Sequence, residues 1–232
     1  MTEPTAGLSP VTAIVPLRGS SQRVPGKNRR PLAGRPLFHH ILSALRAVPE
    51  IDTVAVNSDD EAILEEARRF FPGVVTIRRP EALSAPETSM NAVLLEALDH
   101  VPSGGLILQT HATNPFLSPA SLSAAIAAFR AVWPRHDSLF SVTRRQVRLW
   151  DGDARPVNHD PTRLLPTQDL PPLYEENSCL YLFTVDMLRA RGTRIGARPL
   201  LWPTPPLESL DIDEEDDFTL AEALAAWRSI PP

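Results

Sequence analysis

Val11-Thr12-Ala13-Ile14-Val15-Pro16-Leu17-Arg18-Gly19-Ser20-Ser21-Gln22-Arg23-Val24-Pro25-Gly26-Lys27-Asn28 joins a β-branched run to a basic loop that holds two glycines. Val11–Val15 is short and bounded by Pro10 and Pro16, which suits a buried parallel strand better than a helix. The loop therefore leaves the carboxyl end of a strand. Lys27 is the only lysine in the chain; every other basic side chain is arginine. A position that keeps a compact ammonium in such a sequence suits a point charge reaching into a tight space, with phosphate as its partner.

Outward from this stretch, strand and helix alternate. Helical spacing runs from Pro36 through Leu37, His40, Ile41, Ala44 and Leu45 to Ala47. Ile51 to Val56 reads as a second strand, and Asp59 or Asp60 caps a helix through Phe71. A short strand at Val74 to Ile77, a helix at Met90 to Leu98 and a buried strand at Gly105 to Leu108 follow. Ser118, with Pro119 behind it, opens an alanine-rich helix to Val132. The pattern predicts one α/β domain over residues 1–232 with a mainly parallel sheet, and ligands at the carboxyl ends of its strands. Strands at Ser138 to Val142 and Leu180 to Phe183, an edge at Pro199 to Trp202 and a helix at Phe218 to Trp227 complete the reading.

Arg144 to Pro172 has no clear period. Trp150, Leu164, Leu165, Leu170 and Leu173 give it apolar anchors, so residues 144–176 are expected to form an arm that packs on a second subunit.

The formal charge of −5 argues against nucleic-acid and anionic-membrane surfaces and makes any basic site local. One cysteine, Cys179, excludes an internal disulfide. Met1 to Gly7 lacks the basic and apolar regions of a signal peptide, and no run is long enough to span a bilayer. These features predict a soluble protein of a reducing, cytoplasmic compartment.

The basic loop fails the Walker pattern. Six residues separate Gly19 from Gly26, and Asn28 stands where a magnesium-binding hydroxyl is needed. Arg18, Arg23 and Lys27 around exposed backbone amides still suit a triphosphate. Near the other end, Asp211-Ile212-Asp213 precedes a run of acids. An extended Asp-x-Asp points both carboxylates to one side, as magnesium held through a substrate's phosphates requires; the same acids also suit the cap of the last helix.

Arg18 to Asn28, Asn57-Ser58-Asp59-Asp60, Arg79-Pro80-Glu81, Glu176-Asn177-Ser178-Cys179-Leu180-Tyr181 and Asp211-Ile212-Asp213 occur in the order seen in acylneuraminate cytidylyltransferases, which the chain resembles over roughly residues 11–225. The resemblance implies a three-layer, Rossmann-like nucleotidyltransferase fold with a mixed, mainly parallel sheet and a protruding dimerisation arm. It implies a homodimer that takes CTP and an acidic sugar, releases pyrophosphate and yields a CMP-sugar with Mg2+ as cofactor. Its catalytic set falls on Arg18, Lys27, Asp211 and Asp213, the last two also holding the metal. Leu17, Gly19, Ser20, Ser21, Arg23, Asn28, Arg79 and Ser89 are its nucleotide contacts, although Arg79 also reads as a surface arginine beside Pro80. Gln109, His111, Arg148, Gln168, Asn177 and Tyr181 are its acceptor contacts; Tyr181 also reads as core, and His111 as an anion ligand, a general base or a hydrogen-bonded loop residue.

Departures from the family cluster on the acceptor side. Gln22 replaces a frequent lysine, Thr110 to Pro115 is a longer turn with an added imidazole, and Thr167 stands where an arginine precedes Gln168 in sialic-acid enzymes. Ser178 and Cys179 replace Gly-Ala. Arg148 and Arg163 are the candidates for the missing acid contact. A small phosphonate or another keto acid stands beside a sialic-type acceptor, and a nucleotide-binding scaffold without turnover is the non-enzymatic alternative.

Overall fold

In the computed structural model, which describes residues 8–228, a seven-stranded sheet is covered on both faces by helices. The N-terminal stretch read above for a signal peptide lies outside the described residues. In chain order the elements are β1 (Val11–Leu17), β2 (Pro31–Leu32), β3 (Arg35–Pro36), α1 (Leu37–Arg46), β4 (Thr53–Ser58), α2 (Glu61–Phe70), β5 (Val75–Arg78) and α3 (Met90–Ala97). Then come β6 (Leu106–Thr110), α4 (Pro119–Val132), β7 (Ser138–Arg145), β8 (Leu173–Thr184), α5 (Val185–Arg191), β9 (Pro199–Pro203) and α6 (Glu215–Arg228).

The sheet order is β5-β4-β1-β6-β8-β7-β9. β5, β4, β1 and β6 are parallel, β8 runs antiparallel to both its neighbours, and β9 lies parallel to β7. The chain passes from β1 outward to β4 and β5, then returns to β6 on the other side of β1. That reversal opens a crevice beyond the carboxyl ends of β1 and β6, where doubly wound sheets collect ligands.

Side-chain alternation along β1 divides the core. Val11, Ala13, Val15 and Leu17 meet Phe38, Ile41 and Leu45 of α1, Leu64 of α2 and Ile126 of α4 on one face. Ile14 points to the other, with Leu94 of α3 and Leu188 of α5. A third cluster joins Val24 of the basic loop to Ile212, Phe218 and Ala221, so α6 clamps that loop from outside the sheet. The caps are those expected: Asp60 accepts a hydrogen bond from Ala62 N at 2.9 Å, and Ser118 from Ser121 N at 3.1 Å.

Three features escape the sequence pattern, the first being the two-stranded pair β2–β3, whose second strand takes in Pro36 so that α1 starts at Leu37. α5 is a single short helix, capped by Thr184 and closed by Gly192 at φ 67°, and it buries only Val185 and Leu188, too few for a period to register. β8 begins at Leu173, not Leu180, because its first half pairs with β7 beyond the core and lacks buried alternation. Residues 144, 145 and 173–176 are thus ladder residues, and only 146–172 form the irregular loop. A bulge interrupts the pair: Phe140 faces Tyr181, but Val142 faces Glu176. The bulged residues 177–180 approach the crevice, as bulges beside functional sites commonly do.

Leu170 is buried within its own chain, and Trp150 lies edge-on to His159 at 5.0 Å; Trp150 and Leu164 nevertheless stay exposed.

Candidate active site

The loop after β1 is held open by backbone capture. Gly19 N donates to Asp59 Oδ1 at 2.8 Å, and a Cβ at Gly19 would stand 2.6 Å from Asp60 Cβ, so only glycine fits against the cap of α2. Asn28 donates to Arg18 O at 2.8 Å, and Val24 N donates to Ser21 Oγ at 3.4 Å. Arg18 reaches across to the carbonyls of Ala85 and Pro86, both at 3.2 Å. Leu17, Arg18, Ser20, Ser21, Arg23, Lys27 and Asn28 line a cavity of about 430 Å³, together with Ser84, Pro86 and Met90 from the opposite wall.

Arg79 lies behind this loop and is only 2% exposed. It donates to Asn57 Oδ1 at 2.7 Å, Leu17 O at 3.1 Å and Asn57 O at 3.2 Å, so it ties the ends of β1 and β4 together. Burial pulls its pKa below the usual arginine value. This excludes the surface reading. Arg79 is among the residues that line the cavity, and its buried Nη1 has no partner among the described residues, while its other bonds are architectural. Ser89 is the N-cap of α3, accepting from Ala92 N at 3.3 Å, and its hydroxyl is occupied there instead of in the cavity.

The acid segment docks onto the turn after β6: Ile212 N donates to Thr113 O at 2.9 Å, and Asn114 donates to Leu210 O at 3.3 Å. Ile212 is fully buried, which turns Asp211 and Asp213 together toward a second cavity of about 340 Å³. Asp211 Oδ1 is buried without a partner among the described residues, and burial, then the charge of Asp213, raises its pKa. Asp213 is held by Arg23 at 3.1 Å and by Lys27 at 3.3 Å. No cluster of three or more His, Cys, Asp or Glu converges among the described residues. Two carboxylates lining one cavity nevertheless fit Mg2+, which keeps waters and draws further ligands from substrate phosphates.

The second cavity is also lined by His111, Thr113, Ser178, Arg194 and Met90, and it shares His111, Thr113 and Met90 with the first. Its floor is a directed relay. Arg194 Nη1 donates to Gln109 Oε1 at 2.6 Å, and a guanidinium only donates, so the Gln109 amide is fixed with its nitrogen toward His111 Nε2 at 2.9 Å. His111 must accept there, which places its proton on Nδ1. Burial, reinforced by the positive charges of Arg194 and Lys27, takes its pKa down to about 4. His111 is therefore neutral at physiological pH with its basic nitrogen already occupied, an arrangement unsuited to a general base.

Gln109 and Tyr181, expected to touch an acceptor, are both fully buried. Gln109 has both amide atoms occupied in the relay. Tyr181 lies under Arg194, whose guanidinium carbon is 3.6 Å from the ring centroid, and its hydroxyl donates to Glu176 and lies 3.0 Å from Ser178 Oγ. Each is a support, not a contact surface. Asn177 likewise turns inward, donating to Thr204 Oγ1 at 2.7 Å and Thr143 Oγ1 at 3.1 Å, which anchors the bulge. Arg148 and Gln168 stay exposed in the 146–172 loop, where Arg148 donates to Leu165 O and the Gln168 carbonyl accepts from Gln146. The chain alone does not bring them to the cavity. Arg194, Ser178, Thr113 and Met90 line the second cavity without having been selected by motif reading; for Arg194 the available signal was an arginine after a buried strand.

The sheet order, the crevice at the reversal and the basic strand-end loop define a Rossmann-like nucleotidyltransferase fold. Among solved structures, the CTP complex of CMP:2-keto-3-deoxy-manno-octonic acid synthetase superposes with a TM-score of 0.67 at 14% identity, covering 95% of this chain and 100% of the other. The 4-diphosphocytidyl-2C-methyl-D-erythritol synthase of Anaerococcus prevotii gives 0.66 at 15% identity, covering 95% and 97%. The cytidylyltransferase family model matches residues 12–226, and the chain belongs to that family. It is 26% identical to the CMP-N,N'-diacetyllegionaminic acid synthase of Legionella pneumophila over 92% of this chain and 95% of that protein. It is 29% identical to the N-acylneuraminate cytidylyltransferase of Oncorhynchus mykiss over 91% of this chain, but spans only 49% of that relative's length.

Proposed function

We propose that the chain transfers CMP from CTP to an acidic acceptor and releases pyrophosphate. The observation that carries this reading is the pair of adjoining cavities, one walled by Arg18, Lys27, Ser20, Ser21 and Asn28, the other by Asp211, Asp213 and Arg194. A nucleotide in the first presents its α-phosphate at the border formed by His111, Thr113 and Met90.

An acceptor oxygen attacks that phosphorus in line. The bond from phosphorus to the β-phosphate oxygen breaks, pyrophosphate carries away the electron pair, and the hydroxyl proton passes to water. Arg18 and Lys27 meet the charge that accumulates on the departing oxygens, a contribution that grows as the transition state forms. Ser20 and Ser21 line the same wall, while the Arg79 scaffold and the bond from Gly19 N to Asp59 hold the loop in place. Asp211 and Asp213 would hold Mg2+, which would neutralise phosphate charge. Exposed Trp150, Val157 and Leu164 on the 146–172 loop are proposed to pack on a second copy of the chain.

The test is pyrophosphate release from CTP with a panel of sialic-type, keto-acid and small phosphonate acceptors. Release with at least one acid and CTP, lost in Asp211→Asn, supports the reading. CTP binding without release for any acid would favour a scaffold, and equal use of UTP or GTP would remove the cytidine assignment.

A further inference from the structure

Arg194 is half-buried on the loop between α5 and β9, at the wall of the cavity that Asp211 and Asp213 also line. Its contacts are neutral: Gln109 Oε1 at 2.6 Å and the face of Tyr181 at 3.6 Å. No carboxylate forms an ion pair with it among the described residues. Glu176 lies close enough to favour its charge but directs its own carboxylate at the Tyr181 hydroxyl. Asp213 is paired with Arg23 and Lys27 instead.

A partly desolvated guanidinium without an anion is unfavourable unless something else supplies the charge. The surroundings hold this one rigidly. Tyr181 is wholly buried beneath it and stacks at 6.4 Å on Phe140; Gln109 is wholly buried beside it; Arg194 N donates to Asn91 Oδ1 at 3.2 Å. Nη1 is taken by Gln109 and the Tyr181 hydroxyl also favours the charge, but a guanidinium carries five N–H donors, so donors of the fork remain for a ligand. Ser178, with its backbone at φ 57° in the β8 bulge, adds a hydroxyl to the same wall.

We propose that Arg194 binds the anionic group of the acceptor, a carboxylate or a tetrahedral oxyanion, and thereby sets which acids enter the second cavity. This rests on the cytidylyltransfer reading. The anion contact then comes from the body of the same chain and needs no arginine of the 146–172 loop. Arg194 also fixes Gln109 and, through it, the neutral tautomer of His111, so anion binding and the border of the two cavities are joined in one hydrogen-bonded unit.

The experiment compares wild type, Arg194→Gln and Arg194→Lys with three probes: N-acetylneuraminate, 3-deoxy-manno-octulosonate and 2-hydroxyethylphosphonate. CTP affinity and acid affinity are measured separately by calorimetry, and pyrophosphate release gives kcat and KM. Expected is an acid KM or Kd raised by about 10- to 100-fold in R194Q and partly restored in R194K, with CTP affinity within about twofold of wild type. A loss confined to the two sugars marks the carboxylate as the recognised group, and a loss confined to the phosphonate marks the tetrahedral anion. Unchanged acid affinity in R194Q overturns the proposal, as does wild type that binds CTP but none of the three acids. Wild type that fails to bind CTP overturns the underlying reading instead. CTP affinity retained in R194K guards against loss through misfolding.

Discussion

The Lys27 ammonium stands 2.6 Å from the carbonyl of Ile212 and 3.3 Å from Asp213 Oδ1, so the chain's only lysine bridges the basic loop to the acid segment. Its side chain is 12% exposed, and the ammonium fits where three short donor directions suffice. Lys27→Arg is expected to lower kcat for pyrophosphate release by at least about 10-fold, because a planar fork does not fit that slot. Lys27→Met should lower it by about 100-fold or more. Retention of activity in both would remove Lys27 from phosphate stabilisation.

Asp211 is held above the ordinary aspartate pKa mainly by burial. A folded pKa above the unfolded one makes this group stabilising only in its protonated form, so its contribution is lost as pH rises through the folded value. At neutral pH the charged carboxylate opposes folding. Asp211→Asn is therefore expected to raise Tm in metal-free buffer while lowering turnover by about 100-fold. A fall in Tm together with normal turnover would contradict both halves.

His111 titrates the opposite way. Its folded pKa of about 4 lies below the unfolded histidine value near 6.5, so the native state binds the proton less readily. The stability it confers is complete above about pH 6.5 and is lost as pH falls toward 4, by about 3 kcal/mol at most. Denaturant melts at pH 7, 5.5 and 4.5 should show this slope in wild type and a flatter one in His111→Gln. Parallel profiles would mean the imidazole is not buried neutral.

Arg79 joins three oxygens of the β1 and β4 ends and is almost completely enclosed. Arg79→Met leaves Asn57 Oδ1 and two carbonyls without this donor and is expected to reduce stability by about 2–4 kcal/mol. The CTP KM should rise as the loop loses its support. A variant as stable as wild type with only weakened CTP binding would make Arg79 a nucleotide ligand alone.

Much of this arrangement was legible in the residues. The strand at Val11, the capped helices at Asp60 and Ser118, and the alternation that buries Ile212 between two acids are local signals, set by side-chain period and capping chemistry. The acceptor wall was not, for a physical reason. Gln109, Arg194, Tyr181 and His111 are joined by contacts up to 85 residues apart, and nothing in the spacing of an arginine shows which ring it will cover. Tyr181 and Gln109 were seen in the right strands, but burial decided that they support the wall and do not form it. The β7–β8 extension was hidden because its side chains are solvated on both faces, which erases the alternation that reveals a strand.

The Lys27–Asp213 contact spans 186 positions of the chain. During synthesis the basic loop leaves the ribosome long before the segment that neutralises the same cavity, and Val24 waits equally long for Ile212 and Phe218 to cover it. A nascent chain thus displays a cationic, uncovered loop until residues 212–221 have been made, and the two walls of the adjoining cavities meet only once that distant segment folds back.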